Sequence, residues 1–163
     1  ASDLGAEEPF LRPAELATAG TPLDRVLRHC LGWLEEHERY RADIVVRLEI
    51  SHPFREEGLI DRVIQTLVAQ RLDTVFTVYE EHHNFWKVNR FGELEPISDE
   101  RQTRVGRPPL YKEMSGLVSA TRVDVANTGE RLGKRVGVVA LTSLYALVDT
   151  EDELGLELAR RLL

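Results

Sequence analysis

Residues 43–79 read DIVVRLEISHPFREEGLIDRVIQTLVAQRLDTVFTVY, and this stretch decides the fold. The run Ile44-Val45-Val46-Arg47-Leu48-Glu49-Ile50 is rich in β-branched residues, and Pro53 forbids its continuation. It predicts a largely buried strand ending near Ile50. Leu59, Ile60, Val63, Ile64, Leu67 and Val68 follow at helical spacing, with Glu56 and Glu57 placed in the first turn, where carboxylates favour the helix dipole. Thr74 to Tyr79 then reads as a second strand. Strand, loop, helix and strand make a βαβ unit and predict a mostly parallel sheet.

Outward from this unit, Leu23, Val26, Leu27, Cys30, Leu31 and Leu34 fall on one face of an earlier helix. Cys30 lies on that face and reads as a small core residue. The first twenty residues have weak periodicity, and no element is assigned to them. On the other side, Phe85 to Val88 and Gly92 to Leu94 predict a hairpin turning at Asn89 to Gly92, within an excursion over residues 80–97. Ser98 to Pro109 is polar, basic and aperiodic, as a long loop would be. Strands are expected at Leu117–Thr121, Val136–Leu141 and Leu144–Val148. A last helix carries Leu154, Leu158, Ala159 and Leu162 on one face, with Thr150 and Glu153 spaced as a capping box.

Composition limits the class of molecule. The chain has 163 residues, 42% apolar and 30% charged, enough to build the core of one domain. Twenty-eight acids against twenty-one bases give a formal charge of −7, which argues against a general nucleic-acid binder. No apolar run approaches the roughly 18 residues of a membrane span, and the acidic start ASDLGAEEPF does not read as a signal peptide. The expectation is a cytoplasmic protein. One cysteine allows neither an intrachain disulfide nor a cysteine-based zinc site.

In open α/β sheets ligands gather where strands end and loops lead into helices. Three segments meet that rule: the loop Glu49 to Arg55, the basic segment Arg101 to Lys112, and Asp149 ahead of the last helix. Each has an ordinary structural alternative, namely surface ion pairing for Arg55, a solvated face for the arginines, and a turn or cap for Asp149. His82 and His83 beside Glu80 and Glu81 suggest a metal site, but neighbours on a strand point to opposite faces, so the loop reading is preferred. Gly129, Gly133 and Gly137 lack a following lysine-serine pair and read as turns.

Several segments together resemble the acylneuraminate cytidylyltransferase family, the enzymes that make CMP-activated sialic acids and related 3-deoxy-2-ulosonic acids. Residues 9–17, PFLRPAELA, are similar to the family's PFxRPxxLA, and residues 43–55, DIVVRLEISHPFR, to its DxVVxLQPTSPLR. Ile60-Asp61 falls in the family's following helix and Thr74 to Val78 in its next strand. His82-His83 with Phe85-Trp86-Lys87 resembles "HHP…WK", and Pro108 with Tyr111-Lys112 and Gly116 resembles "P..YR.NG". Residues 148–154, VDTEDEL, are similar to the end of "DIDTEEDL". The resemblance runs from Pro9 to the last helix, without the family's opening loop of the type ARxGSKGxxxKN ahead of Pro9.

The resemblance implies one α/β domain over residues 1–163, N-terminally incomplete, with a nucleotide-diphospho-sugar transferase-like (Rossmann-like) fold. It implies a mostly parallel sheet, helices on both faces and an inserted dimerisation hairpin. It further implies transfer of CMP from CTP to the anomeric hydroxyl of a 2-ulosonic sugar acid, with release of pyrophosphate. Asp149 would be catalytic and hold Mg²⁺, with Mn²⁺ as the alternative ion. Arg104 and Lys112 would face the sugar carboxylate, Glu49, Ser51 and Tyr111 would line the sugar pocket, and Arg12 and Arg55 complete the substrate-binding set. Lys87 would reach across a homodimer interface. Three departures stand out: Glu49 replaces the motif's glutamine, Leu147 its first aspartate, and Ala19 the aspartate after the LA pair. The alternative is therefore a non-catalytic sugar- or nucleotide-binding relative, and this chain alone is expected not to turn over CTP.

Overall fold

The computed structural model describes residues 3, 5–97, 106 and 108–163. The βαβ stretch forms as β1 (Ile44–Arg47), α2 (Leu59–Ala69) and β2 (Thr74–Glu81), preceded by α1 (Leu23–Glu38). Then come a hairpin of β3 (Trp86–Val88) and β4 (Leu94–Pro96), followed by β5 (Leu110–Glu113), β6 (Ser119–Arg122), α3 (Val123–Thr128), β7 (Val136–Ala140) and α4 (Glu153–Leu162).

In the central sheet β1, β2 and β7 run in one direction; β7 pairs parallel with β2. Between β1 and β2 lies a reversed strand, β6, antiparallel to both, and β5 continues it along the later half of β2. In strand direction the sheet is mainly parallel, with three strands, β1, β2 and β7, running one way and two, β5 and β6, running against them. The βαβ pattern predicted the shared direction of β1 and β2 but not the strand between them. In that central place Ala120 of β6 is wholly buried between Val46 and Val75.

The two faces follow from strand alternation. Val75 and Ala120, with Ile44 and Val46 beside them, face α2, whose Leu59, Val63 and Leu67 are almost fully buried. Leu117, Val118, Leu141 and Ala146 complete that core. Val45, Phe76 and Thr121 face the other way, toward α1 and α3. No α1 residue is fully buried, and a cavity of about 200 Å³ remains between this helix and the sheet. Phe10 packs edge-on to His29 and against Trp33, which ties the N-terminal segment to α1.

Several boundaries differ from expectation. β1 ends at Arg47 rather than near Ile50, because the Glu49 N–H leaves the ladder to bond the Gly116 carbonyl at 2.8 Å. Leu144–Leu147 is a 3-10 turn, not a strand; Ser143 Oγ accepts from the Tyr145 N–H. The last helix is capped by Asp152, whose Oδ1 accepts from Gly155 N–H at 2.7 Å. Thr150 is used elsewhere: its N–H and hydroxyl both donate to the Ser51 carbonyl. The expected loop from Ser98 lies largely outside the described residues.

Glu56 precedes α2 instead of lying in its first turn, and it fastens the strand ends. Its carboxylate accepts from the N–H groups of Thr142 and Ser143, from the Thr142 hydroxyl and from Arg62. Burial pushes its pKa up, but these donors, led by the Ser143 N–H, outweigh burial and hold it at about 2, against an ordinary 4.5. Because the folded value is depressed, the stabilisation is present above about pH 4.5 and is lost as pH falls toward 2. Glu56→Gln is expected to cost about 1–3 kcal/mol at neutral pH in urea denaturation. The gap from wild type should narrow steadily below about pH 4.5; a gap independent of pH would contradict this account.

Candidate functional site

Beyond β1 the chain turns through Glu49 to Phe54, and three contacts fix this loop. The Glu49 N–H donates to Gly116 O; Arg55 Nη2 donates to Glu49 O; Arg55 Nε donates to Leu117 O at 2.8 Å. The opposing wall is the break between β5 and β6, residues 114–118. Thr77, wholly buried, holds both ends of that break. Its hydroxyl donates toward the carbonyls of Met114 and Val118, its N–H donates to Val118 O, and its carbonyl accepts from Met114 N–H.

Between these walls opens a cleft of about 300 Å³ lined by Glu49, His52, Lys112, Glu113, Met114, Ser115, Gly116, Leu147 and Asp149. Glycine at 116 is a steric requirement. A Cβ there would stand 2.5 Å from Glu49 Oε2 and 2.7 Å from His52 Nε2, so carboxylate and imidazole both close over this one residue. Gly155 is constrained in the same way, since a Cβ would collide with the Asp149 carbonyl; α4 is thereby seated against the cleft's far edge.

Charge around the cleft is organised by an arginine that sequence reading passed over. Arg47 Nη2 bonds Ser115 Oγ at 3.1 Å and stands 3.8 Å from Glu49 Oε1. Across the break, Arg131 pairs with Glu113; that bond, with help from Ser115, holds the Glu113 carboxyl below its ordinary range. Four buried side-chain N or O atoms among the described residues have no hydrogen-bond partner, and three belong to this loop and its strand: Arg47 Nε, Ser51 Oγ and His52 Nδ1. Of these, only His52 lines the cleft; Arg47 borders the cavity beneath α1.

Of the residues singled out from sequence, the fold brings Glu49, Lys112 and Asp149 into one cleft. The others have different placements. Arg55 spends its guanidinium on two backbone carbonyls, and burial lowers its pKa. It shapes the loop instead of facing the cleft. Ser51 offers its carbonyl to Thr150 and does not line the cleft. Tyr111 is exposed on β5, next to Lys112 and so on the opposite strand face. Arg12 is exposed in the segment before the 3-10 turn Ala14–Leu16. Lys87 bonds Glu95 at 2.9 Å across its own hairpin. Arg104 lies outside the described residues. His52 belongs to the loop Glu49 to Arg55 singled out from sequence, though with no role given to it, and Arg47 was missed; an arginine within a β-branched strand is a weak signal until the break at 114–118 is seen opposite it.

Asp149 is the carboxylate nearest the α4 end of the cleft, and its Oδ1 already accepts from Glu151 N–H at 3.0 Å. Leu147, two residues earlier, lines the cleft without offering an oxygen. Among the described residues no group of three or more His, Cys, Asp or Glu side chains is placed to hold an ion. Three carboxylates line the cleft, Glu49, Glu113 and Asp149, without being grouped closely enough to form an ion site by themselves. This suits Mg²⁺ only in the mode where phosphates and water supply most ligands.

No protein-family model matches the chain, and no curated protein matches it in sequence. Among solved structures, the fold is similar to that of 4-diphosphocytidyl-2C-methyl-D-erythritol synthase from Anaerococcus prevotii, with a TM-score of 0.59 and 11% identity. The similarity covers 90% of this chain and 66% of that one, so the chain spans just under two thirds of that protein's length. At this identity the likeness establishes the fold, which is nucleotide-diphospho-sugar transferase-like. No helix among the described residues is long and apolar enough to cross a membrane.

The crowding over Gly116 gives a direct test. Gly116→Ala should lower stability by about 1–3 kcal/mol in urea denaturation, because both the Glu49 carboxylate and the buried His52 ring must shift to admit a Cβ. Gly20→Ala, where nothing lies within 4 Å of a Cβ, should stay within about 0.5 kcal/mol of wild type. Equal effects at the two positions would contradict the geometry.

Proposed function

We propose that this chain carries the acceptor side of a cytidylyltransferase that joins CMP from CTP to the anomeric hydroxyl of a sialic-acid-like 2-ulosonic acid, releasing pyrophosphate. The observation that carries the reading is the meeting of Glu49, Lys112 and Asp149, from three distant parts of the chain, in one cleft beyond β1. The fold similarity to a cytidylyltransferase and the motif resemblance from Pro9 to Leu154 support it independently.

The reaction is an in-line displacement at the α-phosphorus: the sugar oxygen bonds to phosphorus as the bond to the pyrophosphate oxygen breaks. Such chemistry depends on positioning and charge neutralisation more than on a protein nucleophile. Lys112 supplies positive charge to an anionic substrate, and Glu49 with His52 forms the wall against which the sugar is oriented. Asp149 is the residue that would hold Mg²⁺, an ion that when bound neutralises phosphate oxygens and favours ionisation of the attacking hydroxyl. In the same reading a second copy packs on the hairpin, where Trp86, Val88, Phe91 and Leu94 are all more than half exposed.

Leu147 beside Asp149 favours the second reading, a relative that binds such ligands without turnover. One experiment separates them. In the full-length gene product, pyrophosphate release from CTP with a 2-ulosonic acid and Mg²⁺ should be measurable and fall at least about 100-fold in Asp149→Ala. A product that binds the sugar acid yet releases no pyrophosphate from any nucleotide overturns the enzyme reading in favour of the binding relative.

A further inference from the structure

The cavity beneath α1 has a cause in the sequence. On the sheet face turned away from α2, two cross-strand rows form its floor: Arg47, Ser119 and Phe76 in one, Val45, Thr121 and Thr74 in the other. The middle strand, β6, supplies only short side chains to this floor, and α1, which buries no residue fully, leaves about 200 Å³ above them. Leu23 and Leu27 of α1, Ala126 of α3 and Leu132 form apolar walls. The Thr74 hydroxyl accepts from the Gly133 N–H. Those of Ser119 and Thr121, about 7 Å apart along one strand face, have no hydrogen-bond partner among the described residues. Leu23, Glu130 and Arg131 are exposed members of the lining and mark its opening to solvent.

We propose that this cavity is a binding site for an uncharged, single-ring molecule that carries a hydroxyl. An apolar cavity of about 150 Å³ takes benzene, so this one, at about 200 Å³, admits one ring with a small polar substituent. The ring lies against the leucines and Phe76, and its hydroxyl bonds Ser119 or Thr121, either of which can donate or accept. Charge sets the class. Two cations, Arg47 and Arg131, and two acids, Asp24 and Glu130, line the cavity, so no net charge offsets one brought in from water. Arg47, Arg131 and Asp24 are further engaged by Ser115, Glu113 and Arg28. Of the described residues, Ser115 alone lines both this cavity and the cleft over Gly116, so the ring is held apart from any sugar or nucleotide there.

Titration of this chain with phenol, benzene and benzoate, followed by amide NMR, tests the assignment. Phenol should bind saturably with a dissociation constant of about 1 mM or tighter, shifting the amides of Ser119, Thr121 and Ala126 most. It should bind about fivefold tighter than benzene and at least about tenfold tighter than benzoate. Ala126→Leu, which fills the cavity from α3, should abolish binding of both neutral rings while the spectrum stays that of a folded chain. Ser119→Ala combined with Thr121→Val keeps the apolar space, removes both hydroxyls and should bring phenol and benzene to equal affinity. Binding retained in folded Ala126→Leu, benzoate binding as tightly as phenol, or a phenol preference that survives loss of both hydroxyls overturns the proposal. So does the absence of saturable binding, which makes the cavity a place for water only.

Discussion

The hydrogen bonds of Thr77 decide what the rest of this molecule can be. A strand running back along β2 from Leu110 to Arg122 would ordinarily pair without interruption. Here five residues, 114–118, leave the ladder, and the buried threonine satisfies the main chain on both sides of the gap. Because its hydroxyl and its own N–H and carbonyl are all used, the break costs little hydrogen bonding within the core. It also delivers a carbonyl, Gly116 O, to the Glu49 N–H beyond β1. The end of β1 and the site loop are thus fixed by a residue on a different strand.

From that constraint the cleft follows. Glu49 leaves the sheet to meet Gly116, Arg55 holds the loop onto Leu117, and the absence of a side chain at 116 lets the Glu49 carboxylate and the His52 ring converge. Lys112 and Asp149 reach the same opening from β5 and from the turn before α4. The arginines near the cleft are largely structural: Arg55 binds carbonyls, Arg131 neutralises Glu113, and Arg47 bridges to Ser115. Buried polar groups with incomplete pairing concentrate in this loop rather than in the α2 core, where packing is apolar and tight.

Local pattern made much of this legible. The helices α1 and α2 and the strand β2 follow directly from apolar spacing, because each turns one face toward its neighbours, and the hairpin follows from its turn residues. The insertion of β6 between β1 and β2 was not legible, since periodicity gives a strand's faces but not its neighbours. The same gap explains the site. Glu49 and Asp149 stand out as acids at element ends, but the contact of Glu49 with Gly116 spans a separation that no local motif encodes. Leu144 to Val148 looked like a strand from its apolar residues, yet Ser143 captures the Tyr145 N–H and tightens the segment into a 3-10 turn. Thr150 and Asp152 compete as caps, and the Ser51 carbonyl, remote in sequence, claims the threonine.

The functional reading accordingly stands on tertiary contacts that meet at one buried hydroxyl. Amide hydrogen exchange on Thr77→Val, with Thr77→Ser as control, tests this dependence residue by residue. Loss of the hydroxyl should speed exchange at the amides of Glu49 and Met114 by at least about tenfold, while the β2–β7 ladder keeps its protection and the serine variant behaves as wild type. Unchanged exchange at Glu49, or acceleration spread evenly over the sheet, would show that the cleft does not depend on Thr77.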